Sequence, residues 1–187
     1  MTTAERVKRV GRELMQTRGY DGFSYSDIAE RVGIRAPTIH YHFPTKADLA
    51  TAIAADYRAE FADQVGALTG SCIEQLRAYA SLFTATLVDG NCICLGGMLA
   101  REPASLPEAT RSEVRRFFIE QLEWLSDVLA DGIAEASLRA DLDPQAFASA
   151  FLGALEGTML VAQATDDSQH VQRVADQLIA VIAAPGN

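Results

Sequence analysis

The chain has 187 residues, of which 49% are hydrophobic and 22% are charged, and its formal net charge is −9. This composition excludes a disordered chain, and no run approaches the roughly 20 uninterrupted apolar residues of a membrane span. The first residues lead into a charged amphipathic pattern and not into the apolar core of a signal peptide. We therefore expect a cytoplasmic protein that does not bind a membrane.

The negative charge counts against a nucleic-acid partner until its distribution is considered. Residues 1–46 contain eight Lys or Arg and five Asp or Glu, a charge of +3, so the rest of the chain carries −12. A mildly basic N-terminal end on an acidic body fits a protein that presents one end to phosphates.

Apolar residues at helical spacing dominate the sequence, and no run alternates convincingly as a strand would. The spacing predicts a first helix at about 4–19, which Gly19 would end. Ser24 and Asp27 can form a capping box, in which each side chain bonds the backbone N–H of the other. That box would open a short second helix at 27–32.

A turn at Gly33 separates the second helix from a third one at about 36–42, where Pro37 lies in the first turn and its missing N–H is tolerated. A long fourth helix begins at Lys46. Asp89-Gly90-Asn91 is one of several later breaks. The breaks leave five further helices, at about 71–88, 92–102, 107–136, 144–164 and 168–183.

Two short helices joined by a Gly-containing turn form a helix-turn-helix. The second helix of such a unit fits the roughly 12 Å wide major groove of DNA and offers side chains to base edges. The third helix carries polar and aromatic residues where a buried helix would carry Leu and Ile, and Lys46 adds a phosphate contact. The candidate DNA contacts on the third helix are Thr38, His40, Tyr41 and His42.

The run from Gly22 to Leu49, GFSYSDIAERVGIRAPTIHYHFPTKADL, resembles the DNA-binding domain of the TetR/AcrR family of repressors. The matching positions are Gly22-Phe23, Ser24, Asp27-Ile28-Ala29, Gly33, Thr38-Ile39, His42-Phe43, Lys46 and Leu49. The resemblance implies base and phosphate contacts at Ser26, Arg35, Ala36, Thr38, Tyr41, His42 and Lys46.

Two positions depart from the family pattern. His40 stands where the family usually has Tyr, and an imidazole N–H could keep a phosphate contact there. Arg35 stands where Ser or Thr often caps the helix; it cannot cap, but it can reach a phosphate or a guanine. We interpret four apolar residues as the core that holds the third helix, and not as DNA contacts: Ile28, Val32, Ile39 and Phe43.

Beyond residue 60 the resemblance is weak. It implies an all-α fold, with a three-helix helix-turn-helix domain at residues 1–46 and a helical ligand-binding and dimerisation domain at residues 47–187. The last two helices would form the interface of a homodimer, since a palindromic operator needs two recognition helices about 34–36 Å apart.

The sequence favours that dimer independently, although packing within one chain is the alternative. The helix at 144–164 carries small residues that permit close helix approach, and the final helix carries an apolar stripe. These are Ala146, Ala150, Gly153, Ala154 and Gly157 on the first helix, and Val171, Val174, Leu178 and Ile182 on the second.

The family also implies a pocket for a small-molecule effector, which the sequence does not identify. Aromatic and apolar residues at helical spacing are candidates, and core packing is the alternative for each. The candidates are Phe83, Leu87, Met98, Phe118, Gln121, Trp124 and Met159, with Glu156 as a buried polar contact.

The odd number of cysteines argues against a disulfide framework, and Cys72 carries no separate signal. Cys92 and Cys94 lie at the predicted start of the helix at 92–102, where the helix dipole lowers a thiol pKa. This resembles the Cys of redox- or electrophile-sensing family members. Inert burial is the alternative, and no His completes a zinc spacing.

The sequence thus predicts a repressor that binds palindromic double-stranded operator DNA as a homodimer and is released by a small-molecule effector. The alternative is a repressor switched through Cys92 or Cys94. We expect no cofactor and no metal. An enzyme is disfavoured because we find no Ser/His/Asp set, phosphate-binding Gly loop or HExxH motif. An interaction module that has lost DNA binding would show no salt-sensitive DNA binding.

Overall fold

The computed structural model describes residues 1–88 and 92–184, and within those residues it contains nine α-helices and no strand beyond one isolated bridge, Leu138 to Ala183. The predicted all-α class is confirmed. The helices are α1 Thr3–Arg18, α2 Tyr25–Val32, α3 Ala36–His42, α4 Lys46–Gly66, α5 Cys72–Val88, α6 Leu95–Ala100, α7 Glu108–Ala134, α8 Pro144–Ala164 and α9 His170–Ile182.

Local sequence signals fix where the first helices begin and end. The predicted box opens α2: the backbone N–H of Ser24 donates to the Asp27 carboxylate at 2.7 Å, and that of Asp27 donates to the Ser24 hydroxyl at 3.4 Å. Thr45 and Asp48 form the same box before α4. Gly33 ends α2 with a φ of 73°, a left-handed conformation that favours glycine.

The prediction for the helix at 92–102 is wrong in extent, because α6 is only Leu95–Ala100. Cys94 precedes the helix with non-helical backbone, and Gly96 and Gly97 are weak helix formers. Cys92 therefore lies outside the helix start where it was predicted. The predicted break at Asp89-Gly90-Asn91 lies outside the described residues.

The helices form two compact units. Unit 1 consists of residues 1–61 and 94–117, and unit 2 consists of residues 62–93 and 118–187. Unit 1 includes all of the predicted DNA-binding segment 1–46, and α4 and α7 each contribute residues to both units. The core of unit 1 holds the predicted apolar side chains Leu14, Ile28, Ile39, Leu49 and Ile53, all 2% exposed or less.

In unit 2, α5, α8 and α9 pack on one another. Tyr79 and Phe151 are fully buried between α5 and α8. Within the described part of the chain, α8 is the one helix long and apolar enough to cross a membrane by length and composition, with a mean hydropathy of 1.3. One such helix is weak evidence for a span, because the core helix of a soluble protein passes the same test.

Candidate nucleic-acid interface

α3 contains a single buried residue and presents most of its other side chains to solvent. Ile39 is fully buried and packs this helix into unit 1, whereas Thr38, Tyr41 and His42 are exposed. Tyr41 is 84% exposed, which is unusual for an aromatic side chain that has no binding partner to cover it. The ring of His42 lies edge-on to that of Tyr41, with centroids 5.2 Å apart.

Tyr25, a residue that the sequence analysis did not single out, fixes the turn between α3 and α4. Its hydroxyl donates to the carbonyl oxygens of Phe43 at 2.9 Å and Thr45 at 2.6 Å. Burial, followed by the nearby charge of Asp48, raises the pKa of Tyr25 to about 12. The sequence shows an aromatic residue directly after the N-cap Ser24, which could have drawn attention to Tyr25. Residue spacing does not predict its hydrogen bonds, because the partners lie 18 and 20 residues away.

His40 is exposed, but one side of its ring is already engaged. Its Nδ1 lies 3.1 Å from the carbonyl oxygen of Pro44, and the ring packs edge-on against Tyr25 at 4.7 Å. In this bond Nδ1 is the donor, so Nε2 is the nitrogen left to meet DNA. In the neutral ring Nε2 then only accepts, so a phosphate contact through Nε2 would require both ring nitrogens to carry a proton.

Lys46 differs from the other predicted contacts because its ammonium group turns inward. It donates to the carbonyl oxygen of Phe23 and lies over the rings of Tyr20 and Phe23, at 4.8 and 4.2 Å from their centroids. Burial lowers the pKa of Lys46. Any phosphate contact here would use the remaining N–H donors.

The remaining predicted contacts surround α3. Ser26 and Arg35 are exposed and Ala36 is half-buried. Arg35 precedes α3 without capping it, as expected. Among the described residues, neither Arg35 nor Arg31 forms an ion pair or hydrogen bond, so both guanidinium groups are available to phosphates. Phe43, predicted as core, is half-buried.

The predicted effector residues fall into both units. Phe83, Leu87, Gln121 and Met159 are buried in unit 2, and Phe118, Trp124 and Glu156 are half-buried there. Tyr79, which we did not predict, joins several of them, since its ring stacks on Trp124 at 5.3 Å and contacts Phe83 at 5.4 Å. Met98 is buried in unit 1, where its sulfur accepts a hydrogen bond from Arg101.

The three cysteines have different surroundings. Cys94 is 2% exposed, and its sulfur accepts a hydrogen bond from the Tyr57 hydroxyl at 3.4 Å. Cys92 is half-buried. Cys72 is buried, and burial raises its pKa to about 11. In the described ranges no cluster of three or more His, Cys, Asp or Glu could hold a metal ion.

A short helix that presents aromatic and polar side chains to solvent and packs on the helix before it is typical of helix-turn-helix transcriptional regulators. Family comparisons agree. Residues 9–53 match the family described as "Bacterial regulatory proteins, tetR family". Residues 72–178 match the family described as "Tetracyclin repressor-like, C-terminal domain". The chain belongs to the TetR family of transcriptional regulators, which confirms the resemblance found in the sequence.

Solved and characterised relatives cover most of the chain. A TetR-family regulator from Agrobacterium tumefaciens is 34% identical, with a TM-score of 0.90 and 97% of each chain covered. A TetR regulator from Legionella pneumophila is 29% identical, with a TM-score of 0.86, over 97% of this chain and 98% of its own. The transcriptional regulator AcuR from Cereibacter sphaeroides is 28% identical over 83% of this chain and 74% of its own length.

Proposed function

We propose that the protein is a homodimeric repressor that binds a palindromic operator through α3 and is released by a small-molecule effector. It acts in the cytoplasm, where its DNA is, and its role is binding and not catalysis. The observation that carries this proposal is the face of α3, where Tyr41 is 84% exposed beside exposed Thr38 and His42. These side chains have the chemistry that reads base edges and phosphates.

Selection of bound sequences from a random DNA pool tests this proposal. The purified protein should enrich a palindrome with half-sites about one helical turn or more apart. Binding of the enriched DNA should weaken steeply with salt, because phosphate contacts release counterions. If no sequence is enriched even at low salt, the proposal is wrong and the alternative of an interaction module takes its place.

The exposed face of α8 supports the homodimer. The predicted small residues Ala146, Ala150, Gly153 and Gly157 lie on it, and Ala154 is half-buried at its edge. A Cβ added at Gly153 or Gly157 would meet no atom within 4 Å. Leu160 and Val161 extend this face, at 46% and 47% exposed. A small, apolar and open helix face of this kind suits close packing against a second copy.

α9 contributes less of its predicted stripe than expected. Val171 and Ile182 are buried and pack within unit 2, whereas Val174 and Leu178 are half-buried and Val181 is 66% exposed. The α9 part of the proposed interface is therefore Val174, Leu178 and Val181.

The double variant Gly153→Lys/Gly157→Lys tests the interface. Both side chains have open space in the monomer, so the chain should fold and sediment as a monomer with a large loss of operator affinity. Ala85→Lys, at an exposed small residue of α5, is the matched control and should remain dimeric. A double variant that stays dimeric would contradict the interface.

Effector release is proposed as a population shift. A ligand bound in unit 2 would favour a dimer arrangement whose recognition helices do not match the operator spacing. α4 and α7 run from one unit into the other, which gives a continuous route for such coupling. A coupling of about 1–3 kcal/mol, typical of allosteric proteins, would be sufficient.

A thiol switch is the second candidate, and the hydrogen bond from Tyr57 to Cys94 is the observation in its favour. A hydroxyl donor stabilises a thiolate, although burial of Cys94 restricts access to bulky reagents. Oxidant should then release operator DNA reversibly from the wild type but not from Cys94→Ser, with Cys92→Ser and Cys72→Ser as controls. Equal release from the wild type and all three variants would remove the cysteines from the mechanism.

A further inference from the structure

A buried amide in the interior of unit 2 has an oxygen atom with no hydrogen-bond partner among the described residues. Gln121 on α7 is 2% exposed, and its Oε1 has no partner among the described residues. The hydroxyl of Thr84 on α5 is buried in the same way. A buried acceptor without a partner costs about 1–3 kcal/mol, so such a group in a folded protein calls for a missing partner.

The register of α5 and α7 places these two groups at the same level. α5 and α7 are antiparallel, since a Cβ at Gly132 would lie 2.6 Å from the Cys72 sulfur while Tyr79 stacks on Trp124. Thr84 lies five residues beyond Tyr79, and Gln121 lies three residues before Trp124. At 1.5 Å per residue, both are displaced along the helices in the same direction, by about 7.5 and 4.5 Å.

α8 brings a carboxylate to this level. α8 begins soon after Leu138, whose side chain lies beside Gly132 near the Cys72 end of α5, so α8 runs parallel to α5. Phe151 contacts Tyr79 at 6.5 Å. Glu156 follows Phe151 by five residues, which matches the offset of Thr84 from Tyr79, and its Oε1 is also enclosed.

Aromatic rings flank this polar level on one side. Tyr79 stacks on Trp124 and contacts Phe83 and Phe151, with centroid distances between 5.3 and 6.5 Å. An apolar body of a ligand would pack well against these rings. The polar end of such a ligand would meet oxygen atoms of the protein. Gln121 Oε1 can only accept a hydrogen bond, and so can the carboxylate of Glu156 when it is ionised.

The charge of unit 2 selects against anionic ligands. Residues 62–93 and 118–187 contain three Arg, no Lys and fourteen Asp or Glu, a formal charge of −11. A buried anion placed at Gln121 Oε1 would meet an acceptor, so it could not replace there the hydrogen bonds that it loses with its hydration. The surrounding field would also slow its approach.

We propose that unit 2 binds an apolar molecule whose head group donates a hydrogen bond to Gln121 Oε1 and carries no negative charge. Amines, amides and alcohols on an aromatic or aliphatic body share this chemistry. The proposal rests on the effector role above, and it names the class of that effector.

A matched series of probes on one skeleton tests the class. The probes are 4-phenylbutylamine, 4-phenylbutan-1-ol and 4-phenylbutyrate, and the readout is fluorescence of Trp124, the only Trp of the chain. The amine and the alcohol should bind at least about tenfold more tightly than the carboxylate, because only they can pair with the buried acceptor. Tightest binding of the carboxylate, equal binding of all three, or no fluorescence change with any probe would overturn the proposal.

Gln121→Met tests the residue itself, since methionine keeps an unbranched side chain but removes the amide. The amine and alcohol affinities should fall by about three- to tenfold, with little change for the carboxylate. Unchanged affinities would assign the selectivity to another group. Gln145→Leu, which alters an exposed amide of α8, is the control and should leave all three affinities unchanged.

The ligand-free protein supplies a readout that does not depend on the probes. Removal of a partnerless acceptor should raise the Tm of Gln121→Met above that of the wild type, and Gln121→Leu should do the same. A lowered Tm in both variants would show that a structural water already satisfies the amide and would overturn the proposal. Operator selection is measured separately, so probe binding without DNA binding would reject the repressor role alone.

Discussion

The two units place their polar side chains in opposite ways. Unit 1 carries thirteen Lys or Arg and eleven Asp or Glu, a charge of +2, and it exposes the polar and aromatic residues of α3. Unit 2 carries −11 and encloses the polar atoms of Gln121 and Thr84. The groups that we propose for binding are therefore unusually exposed in unit 1 and unusually buried in unit 2.

Cysteine reactivity gives the largest contrast and tests the enclosure of unit 2. Burial, with the charges of Glu135 and Asp131, raises the pKa of Cys72 from 9.0 to about 11. At pH 8 its thiolate fraction is therefore about a hundredfold below that of an ordinary thiol. Because the thiolate of a higher-pKa thiol is also more nucleophilic, iodoacetamide should alkylate half-buried Cys92 at least about tenfold faster than buried Cys72, as followed by peptide mass spectrometry. Comparable rates would show that the interior around Cys72 opens readily.

Tyr41→Ala tests the exposed face of unit 1. Because Tyr41 is 84% exposed, its loss should leave the Tm and the dimer unchanged while operator affinity falls by about tenfold or more. Fluorescence anisotropy with the selected operator measures the affinity, and analytical ultracentrifugation measures the dimer. A change in oligomeric state would contradict the separation of DNA contacts from dimer contacts.

Much of unit 1 could be predicted because its signals are local. The Ser24–Asp27 box, Gly33 and the apolar spacing of α4 place α2, α3 and α4 within two residues of their observed bounds. The inward ammonium of Lys46 and the two bonds of Tyr25 could not be predicted, because their partners lie 18 to 23 residues away in sequence. No local pattern encodes such contacts.

Unit 2 was less predictable for the same physical reason. Helical spacing marks an apolar face in this part of the chain but not the neighbouring helix that covers it. Spacing therefore missed Tyr79 and divided the α9 stripe between the core of unit 2 and solvent. α6 is shorter than apolar spacing alone predicts, because the two glycines at its start weaken the helix.

Alanine substitution of one glycine in each unit tests how well the interiors of unit 1 and unit 2 accommodate an added methyl group. A Cβ at Gly132 would lie 2.6 Å from the Cys72 sulfur and 2.9 Å from its Cβ, so Gly132→Ala should cost about 1–3 kcal/mol of unfolding free energy. A Cβ at Gly11 in unit 1 would lie 2.8 Å from Cδ1 of Ile53, the far end of a side chain that can rotate. Gly11→Ala should therefore cost less than about 1 kcal/mol. Urea unfolding measures both, and the reverse order would refute the contrast.

Tyr25→Phe gives the smallest expected effect and reports on the turn that presents α3. Loss of the hydrogen bond that the Tyr25 hydroxyl shares between Phe43 and Thr45 should lower the unfolding free energy by about 1 kcal/mol and weaken operator binding by about three- to tenfold. The aromatic packing against His40 would remain, so a complete loss of DNA binding would mean that Tyr25 contacts DNA directly.

The pH dependence of the same variant separates these roles. The pKa of Tyr25 is about 12 in the folded protein against an ordinary value of 10.0. A group whose folded pKa is raised stabilises the protein fully below its unfolded pKa, and this stabilisation is lost as pH rises from about 10 to about 12. Wild type should therefore lose stability across this range more steeply than Tyr25→Phe, in urea titrations at several pH values. Parallel curves would show that the Tyr25 hydroxyl is not buried in solution, because burial is the main cause of its raised pKa.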